Sequence, residues 1–260
     1  MPEDTTRRTA VVTGGAGGLG RSIAERLTAD GYAVCIADAD AASGAATALA
    51  LAAGGEAHFL ACDVRDPEEV ARVMDAAAAR LGGIDLLVCC AHEGCERPVE
   101  EITVADWDRT IGTDLTGGFL AAQAAVPHLA RSERACIIHV SSIHARIGSG
   151  VHAAYAAAMA GLSALDRCLA AELAPLGIRC CTVSPYTVLT DSTRPRLTEP
   201  GWEALQRSTV LNDAIMRPED LADVVRLVAS DEGRVLNACD LAVDGGMSIF
   251  REKPAVSAYA

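Results

Sequence analysis

Two side chains that can bind and polarise an oxygen atom lie thirteen residues apart in this chain, at Ser142 and Tyr155. Both hydroxyl groups can donate a hydrogen bond to a carbonyl or hydroxyl oxygen. Met159 follows the tyrosine by one helical turn and contributes neither a charge nor a hydrogen-bond donor. An unperturbed tyrosine has a pKa near 10, so about one phenol in a thousand is ionised at pH 7. We therefore expect Tyr155 to remain a neutral phenol, which can donate a hydrogen bond but is a poor base.

Short apolar runs alternate with longer amphipathic segments along the chain, which is typical of a parallel sheet covered by helices. The candidate strands are 10–13, 33–37, 57–61, 84–90, 136–141, 178–184 and 241–243. The candidate helices include 20–30, 67–81, 104–129 and 153–176. We predict an α/β fold of the Rossmann type, with a doubly wound, seven-stranded parallel sheet and helices on both faces. No repeat or linker divides the chain, so residues 1–260 are expected to form a single dinucleotide-binding domain.

A glycine-rich turn, residues 13–20, follows the first candidate strand and opens the first candidate helix. Gly14, Gly18 and Gly20, with Leu19 between them, allow the backbone to turn sharply and approach a pyrophosphate, and the helix N-terminus supplies amide donors. Asp38 ends the second strand, eighteen residues beyond Gly20. Its carboxylate can accept hydrogen bonds from an adenosine ribose and would repel a 2′-phosphate. The Asp38 carboxylate, together with Gly17 in the turn, favours NAD over NADP.

These motifs resemble those of the short-chain dehydrogenase/reductase family. The TGxxxGxG turn, the spacing of Ser142 and Tyr155, and the Val-Asp-Gly-Gly run 243–246 carry the resemblance from about residue 10 to residue 247. It implies further contacts to a nicotinamide dinucleotide: Asp63, Val64, Ala91, Tyr155, Val188 and Thr190. Thr190 matches the threonine that binds the nicotinamide carboxamide, which indicates that a nicotinamide still binds. Together with Asp38 it makes NAD (NADH) the expected cofactor.

Two of the four residues with which the family moves protons are replaced in this chain. Ser142 and Tyr155 are present, but Met159 stands in place of the lysine that lowers the tyrosine pKa and binds the ribose. Asp114 stands in place of the asparagine that holds a water of the proton relay. His144 follows Ser142 by two residues, at a position that lines the substrate pocket in relatives. The candidate catalytic set of this atypical member is therefore Ser142, Tyr155, Asp114 and His144.

Further titratable side chains follow strand ends on the same side of the expected sheet. His92 and Glu93 come after the fourth strand, and Tyr186 comes after the sixth. With Asp114 and His144 they could form a new acid–base set around an old pocket. The alternative is that the two histidines are polar residues of the pocket rim. The remaining histidines carry no such context and are expected to be structural or exposed: His58, His128, His139 and His152.

Three functions are compatible with this pattern. The first is an NAD(H)-dependent oxidoreductase that acts on a carbonyl or hydroxyl group of a small molecule through a modified proton relay. The second is a dehydratase, cyclase or isomerase in which Ser142 and Tyr155 donate hydrogen bonds to an oxyanion. The third is a non-catalytic protein that keeps the dinucleotide as a structural ligand. The first is favoured because the glycine turn, Asp38 and Thr190 are retained, and hydride transfer needs orientation more than a lysine.

The composition of the chain limits its partners. The formal net charge of −13 argues against nucleic acid and anionic membranes. No apolar run reaches the roughly 18 residues of a membrane span, and the glycine turn comes so early that we expect no signal peptide and a cytoplasmic location. The ten cysteines lack paired CxxC spacing, which favours buried reduced thiols over a metal site.

Two segments have expected roles outside the catalytic set. The segment 187–217 is polar and is broken by Pro195 and Pro200. Because ligands bind beyond the strand ends of such sheets, we expect a substrate lid there. The alanine-rich helix 153–176 resembles the helix that pairs subunits in the family, which implies a homodimer or homotetramer.

Overall fold

The computed structural model describes residues 7–197, 201, 209–211 and 215–249 of the chain. Within these residues, seven strands form one sheet in the order β3-β2-β1-β4-β5-β6-β7, and every neighbouring pair is parallel. The strands are β1 (Thr9–Thr13), β2 (Ala33–Asp38), β3 (Ala57–Ala61), β4 (Leu86–Cys89), β5 (Cys136–Val140), β6 (Arg179–Pro185) and β7 (Asp240–Val243). The predicted seven-stranded, doubly wound sheet is confirmed.

The helices connect the strands and cover both faces of the sheet. They are α1 (Gly18–Ala29), α2 (Ala41–Leu51), α3 (Pro67–Leu81), α4 (Val104–Ile111), α5 (Gly117–Leu129), α6 (Ala153–Leu173), α7 (Arg194–Leu197) and α8 (Pro218–Ala229). On one face, Val11 of β1 belongs to an apolar cluster that includes Val73 of α3 and Ala122 of α5. On the other face, Val12 clusters with Ile23 of α1 and with α8. Burial on both sides explains why the strands are continuous apolar runs.

The predicted helix 104–129 is interrupted, which corrects the prediction of a single element. A π-helical turn (Gly112–Thr116) separates α4 from α5. Asp114 lies in this turn, and its Oδ1 accepts a hydrogen bond from the Glu93 backbone N–H at 2.7 Å. The turn is followed at once by Gly117, where an added Cβ would lie 2.7 Å from the Val64 side chain. The tight packing on Val64 and the carboxylate bond to the β4 loop both fix this irregular backbone.

The predicted helix 153–176 also ends earlier than expected. α6 stops at Leu173 and continues as a 3₁₀ turn (Ala174–Leu176). Pro175 lies in that turn, and Gly177 closes it with φ +73°. A proline lacks the amide that would continue an α-helical ladder, so the tighter turn is the favoured end.

The predicted lid 187–217 lies partly outside the described residues, as does Pro200. Its described parts include α7 and a parallel bridge between Val188 and Met216. The strand order reverses direction between β1 and β4. Ligands of open α/β sheets bind at such a point, beyond the carboxyl ends of the strands.

Candidate functional site

A cleft of about 910 Å³ opens at the carboxyl ends of the strands, around the reversal between β1 and β4. Most of the predicted site residues line it: Gly14, Gly18, Leu19, Gly20, Asp38, Asp63, Val64, Ala91, Ser142, His144, Tyr155, Val188 and Thr190. Met159 lines the same cleft. Residues from both halves of the chain are thus brought to one side of the sheet. Asp114 is the exception in the predicted set and is described below.

The glycine turn leaves room for a ligand and fixes the backbone around it. Gly14 has φ +66°, and a Cβ there would lie 2.6 Å from the Cα of Ala91. At Gly20 a Cβ would meet the Gly14 carbonyl oxygen at 2.1 Å, so α1 packs directly on the turn. By contrast, Cβ positions at Gly17 and Gly18 meet nothing within 4 Å. Gly17, the N-cap residue of α1, makes no side-chain hydrogen bond to the first backbone amides of the helix. These amides can therefore donate hydrogen bonds to a pyrophosphate in the cleft.

Two carboxylates flank the expected adenosine end of the cleft. Asp38 Oδ2 accepts a hydrogen bond from the Ala16 N–H, and Oδ1 accepts one from the Asp40 N–H, both at 2.9 Å. These bonds orient the Asp38 carboxylate at the end of β2. Asp63 is held differently, because the Arg65 guanidinium donates to both of its oxygens. This hydrogen bonding lowers the pKa of Asp63.

Ser142, Tyr155 and His144 meet at the other end of the cleft. Ser142 begins the 3₁₀ turn (Ile143–Ala145), and its Oγ accepts a hydrogen bond from the His144 N–H at 3.2 Å. The Ser142 and Tyr155 side chains both line the cleft, and hydrogen bonding from Ser142 acts to lower the pKa of Tyr155. The His144 and Tyr155 rings lie edge to face, with their centroids 6.1 Å apart. One hydroxyl, one phenol and one imidazole are therefore directed at the same small volume.

The surroundings of Tyr155 favour its neutral form. Burial raises the pKa of Tyr155 to about 12; the Ser142 hydrogen bond opposes this rise, and the charge of Asp114 adds to it. Met159 is 1% exposed and belongs to an apolar cluster with Ala158 and Tyr155. At pH 7 a phenol of that pKa is ionised in about one molecule in 100,000. Tyr155 can donate a hydrogen bond here, and another group must accept a proton.

His152 lies against His144, which corrects the expectation that it is structural or exposed. It lines the cleft, and the two imidazoles stack with centroids 4.8 Å apart and planes 15° apart. The Nδ1 of His152 lies 2.7 Å from the Gly150 carbonyl oxygen, and its Nε2 lies 3.6 Å from Glu96 Oε1. Burial, and then the charge of His152, lower the pKa of His144. His144 is therefore neutral at pH 7 and able to accept a proton.

The position of His152 in the sequence could have placed it in the site, although it was not among the predicted site residues. His152 precedes Tyr155 by three residues at the start of α6, and residues at this spacing share one face of a helix. Glu96 carries no comparable signal, because it lies in the irregular segment after β4. His58, His128 and His139 do not line the cleft, as expected. His139, for example, is fully buried, and although burial opposes its ionisation, the Asp166 carboxylate at 2.8 Å raises its pKa.

Asp114 does not line the cleft but lies beneath the loop after β4. It is 2% exposed, and burial raises its pKa, opposed by the backbone amide of Glu93 and the charge of His92. Its second oxygen, Oδ2, is buried and has no hydrogen-bond partner among the described residues. Asp114 therefore supports the loop that carries His92 and Glu93.

The remaining candidate residues are held at the rim. His92, Glu93 and Tyr186 line the cleft, and Glu93 Oε1 pairs with the Arg109 guanidinium at 2.6 Å. Thr190 Oγ1 lies 2.9 Å from the Ser192 hydroxyl, within the segment that follows β6. Among the described residues, no group of three or more His, Cys, Asp or Glu side chains is placed to hold a metal ion. In the same part of the chain, no helix is long and apolar enough to span a bilayer.

Comparison with known proteins extends over nearly the whole chain. The family model described as "Enoyl-(Acyl carrier protein) reductase" matches residues 14–248. The chain is 33% identical over 243 residues to D-threitol dehydrogenase of Mycolicibacterium smegmatis, and the match covers 93% of each protein. It is 37% identical over 254 residues to cis-4-hydroxycyclohexanecarboxylate dehydrogenase of Sinomonas cyclohexanicum, covering 95% of this chain and 98% of that protein.

Solved structures give the same result. A short-chain type dehydrogenase/reductase from Mycobacterium ulcerans matches with a TM-score of 0.90 and 25% identity, over 96% of this chain and 93% of that chain. The sheet order and the glycine turn described above agree with this similarity. The chain therefore belongs to the short-chain dehydrogenase/reductase family.

Proposed function

We propose that this protein is an NAD(H)-dependent oxidoreductase that interconverts a hydroxyl and a carbonyl group of a small molecule. The observation that carries the proposal is the shared cleft, which holds the glycine turn at one end and Ser142 with Tyr155 at the other. Relatives named as D-threitol and cis-4-hydroxycyclohexanecarboxylate dehydrogenases support a hydroxyl-bearing substrate. A bound nicotinamide would accept or supply the hydride.

The choice of NAD over NADP rests on Asp38. Its carboxylate is fixed by two backbone amides and ends β2 within the cleft. A ribose 2′-hydroxyl could donate to this carboxylate, whereas a 2′-phosphate would be repelled by it. The uncapped start of α1 would receive the pyrophosphate, and Thr190 and Val188 would face the carboxamide.

The proton transfer we propose avoids an ionised tyrosine. Ser142 and Tyr155 hold the substrate oxygen by hydrogen bonds, and neutral His144 accepts the hydroxyl proton during oxidation and returns it during reduction. His152 stacks on His144 and, through Nε2, faces Glu96. Asp114 contributes indirectly, by positioning the loop after β4. Met159 is uncharged and therefore adds no charge to the pocket during the proton transfer.

A second candidate is a non-redox enzyme such as a dehydratase or isomerase. The observation that favours it is the high pKa of Tyr155, about 12, which suits a permanent hydrogen-bond donor to an oxyanion. In that case the substrate would change without any change in the nicotinamide.

The two candidates differ in stoichiometry. The wild-type protein is incubated with NADH and a panel of cyclic and open-chain ketones, and absorbance at 340 nm and product mass are followed together. The proposal predicts one NADH consumed per carbonyl reduced, and loss of turnover in Tyr155→Phe. Product formed at constant NADH would favour the second candidate and contradict the first.

We also propose that the protein is a cytoplasmic homodimer or homotetramer without nucleic-acid or membrane partners. The alanine-rich face of α6 supports this assembly, since Ala157, Ala160 and Ala164 are exposed. Small side chains allow two helices to approach closely.

A further inference from the structure

Outside the cleft, strands β6 and β7 bring two cysteines into contact. Cys181 lies within β6, and Cys239 immediately precedes β7. Their Sγ atoms are 3.4 Å apart. Cys181 is fully buried, whereas Cys239 is partly exposed. The pair therefore joins a partly exposed cysteine to a buried one.

The backbone holds both cysteines at a separation that a disulfide requires. Thr182 pairs with Asp240 in the parallel register, which places the preceding residues of both strands side by side. The Thr182 N–H donates to the Cys239 carbonyl oxygen, and the Ala238 N–H donates to the Cys180 carbonyl oxygen, both at 2.8 Å. Neighbouring strands lie about 4.8 Å apart, within the Cα separation of about 4.4–6.8 Å found in disulfides.

Cys239 is favoured as the attacking sulfur because it is the partly exposed member of the pair, and its hydrogen bonding acts in the same direction. The hydrogen bond with the Cys181 thiol is the main cause that lowers the pKa of Cys239 to about 7, and the charge of Arg179 contributes. The same hydrogen bond and burial raise the pKa of Cys181. When Cys239 is ionised, the Cys181 thiol must donate to it rather than to the Leu236 carbonyl oxygen, 3.4 Å away. The Arg179 guanidinium is held in place because it donates hydrogen bonds to the carbonyl oxygens of Val228, Gly233 and Leu236.

Other cysteines of the chain differ from this pair. Burial raises the pKa of several thiols to about 11 or 12: Cys35, Cys62, Cys90 and Cys136. Such thiols are poor nucleophiles at pH 7. Cys168 on α6 lies outside this pair and provides a control thiol.

We propose that Cys181 and Cys239 form a redox-active pair that reacts with a peroxide to give a reversible intrachain disulfide. The Cys239 thiolate attacks one peroxide oxygen, the O–O bond breaks, and the leaving hydroxide takes up a proton to become water. The resulting sulfenic acid is attacked by the Cys181 sulfur, which forms the S–S bond and releases a second water. The two thiols lose two electrons, which reduce the peroxide, and a dithiol reverses the reaction.

The disulfide would enclose residues 182–238 in a covalent ring that contains the segment 187–217. It would also lie beside Asp240, whose carboxylate accepts hydrogen bonds from Ser184 and Ser163. The bond would thus fasten β7, the last strand in the sheet order, to β6.

The test is peptide mapping of the native full-length protein. The reduced protein is treated with hydrogen peroxide at pH 7, remaining thiols are blocked with N-ethylmaleimide, and the digest is analysed by mass spectrometry. We expect a cross-linked peptide containing Cys181 and Cys239, an intact mass lower by two hydrogen atoms, and reversal by dithiothreitol. The pH at which alkylation of Cys239 reaches half its maximal rate should lie near 7.

Variants separate the pair from general oxidation. Cys239→Ser and Cys181→Ser should abolish the loss of two hydrogens, whereas Cys168→Ser should retain it. The wild-type peptide map needs no variant, so a folding defect in either serine variant leaves the test intact. Oxidation of Cys168 without the Cys181–Cys239 peptide, or no oxidation at all, would overturn the proposal.

Discussion

At the scale of single residues, the charge around Tyr155 decides which proton transfers the cleft can support. Burial and the acidic neighbours Asp114 and Glu96 raise its pKa, and the Ser142 hydrogen bond opposes them. Met159 supplies no positive charge to offset the effects of burial and of these two carboxylates. The phenol therefore keeps its proton at physiological pH, and a relay through this site needs a different base.

Restoring a positive charge should change the phenol measurably. In Met159→Lys, an ammonium beside Tyr155 should lower the tyrosine pKa, because an opposite charge nearby favours the ionised form. Tyrosinate absorbance near 295 nm, followed against pH, reports this shift after subtraction of the Tyr155→Phe spectrum. Met159→Leu is the matched control and should leave the titration unchanged. If wild type already works through His144, Met159→Lys should alter turnover by less than about tenfold; strong reductase activity appearing only in the lysine variant would contradict the modified relay.

His144 should determine the acid side of the pH profile. Its pKa lies below the ordinary value of 6.5, because of burial and then of His152. Oxidation of a hydroxyl substrate needs the neutral imidazole, so kcat/KM should be constant at neutral and higher pH and should fall only in a range below the ordinary histidine pKa of about 6.5. His144→Gln should lower kcat about 100-fold and remove this acid limb.

His152→Gln provides the matched control for that profile. Because the charge of His152 lowers the pKa of His144, its removal should raise that pKa, so the acid limb should move to higher pH while activity at pH 8 persists. An acid limb that survives unchanged in His144→Gln would show that another group titrates.

At the scale of elements, the π-helical turn between α4 and α5 carries Asp114, a carboxyl group whose charged form is disfavoured by burial. The folded state raises the pKa of Asp114, so its ionised form opposes folding as the pH rises through that value. Asp114→Asn removes this opposition and keeps an oxygen for the Glu93 amide. We expect the free energy of unfolding at pH 7 to rise by on the order of 1 kcal/mol, because the substitution removes the buried negative charge.

The pH dependence of that gain makes the test specific. Denaturant unfolding of both proteins should show a difference that shrinks as the pH falls through the raised pKa of folded Asp114 and is lost once the pH is below the ordinary aspartate pKa of about 3.9. Asp108→Asn, on the preceding helix and exposed, is the control and should show no such trend. An Asp114→Asn protein that is less stable at every pH would contradict this account.

The elements themselves were largely predictable, and the exceptions have local causes. Apolar runs located all seven strands within one or two residues, because burial on both faces leaves little choice of residue type. The helix 67–81 was predicted with its bounds, since Asp66 caps it and Gly82 closes it. The π-turn was missed because its cause is tertiary, namely the contact of Gly117 with Val64 and of Asp114 with the β4 loop.

At the scale of the whole molecule, the sheet order brings distant sequence motifs into one cleft. The glycine turn and Ser142 are more than a hundred residues apart in the chain, yet both follow strand ends near the β1–β4 reversal. This placement follows from the predicted parallel sheet. The contact of His144, His152 and Glu96 does not, because it depends on how two irregular segments pack together, one after β4 and one between β5 and α6.

Assembly into a dimer or tetramer is tested by light scattering after size-exclusion chromatography. Ala164 is exposed on α6, and Ala164→Arg should reduce the measured mass toward that of one chain, because an arginine prevents close helix packing. Ala50→Arg, at an exposed position of α2, is the matched control and should leave the mass unchanged. A wild-type protein that is monomeric at all concentrations would refute the proposed assembly.

The most direct test of the proposed function is a calorimetric titration of the wild-type protein with NADH and with NADPH. The fixed Asp38 carboxylate and the open start of α1 predict NADH binding with a dissociation constant on the order of micromolar, and NADPH binding at least about tenfold weaker, with the preference reduced in Asp38→Asn. Absence of binding by both dinucleotides, or tighter binding of NADPH, would contradict an NAD(H)-dependent oxidoreductase.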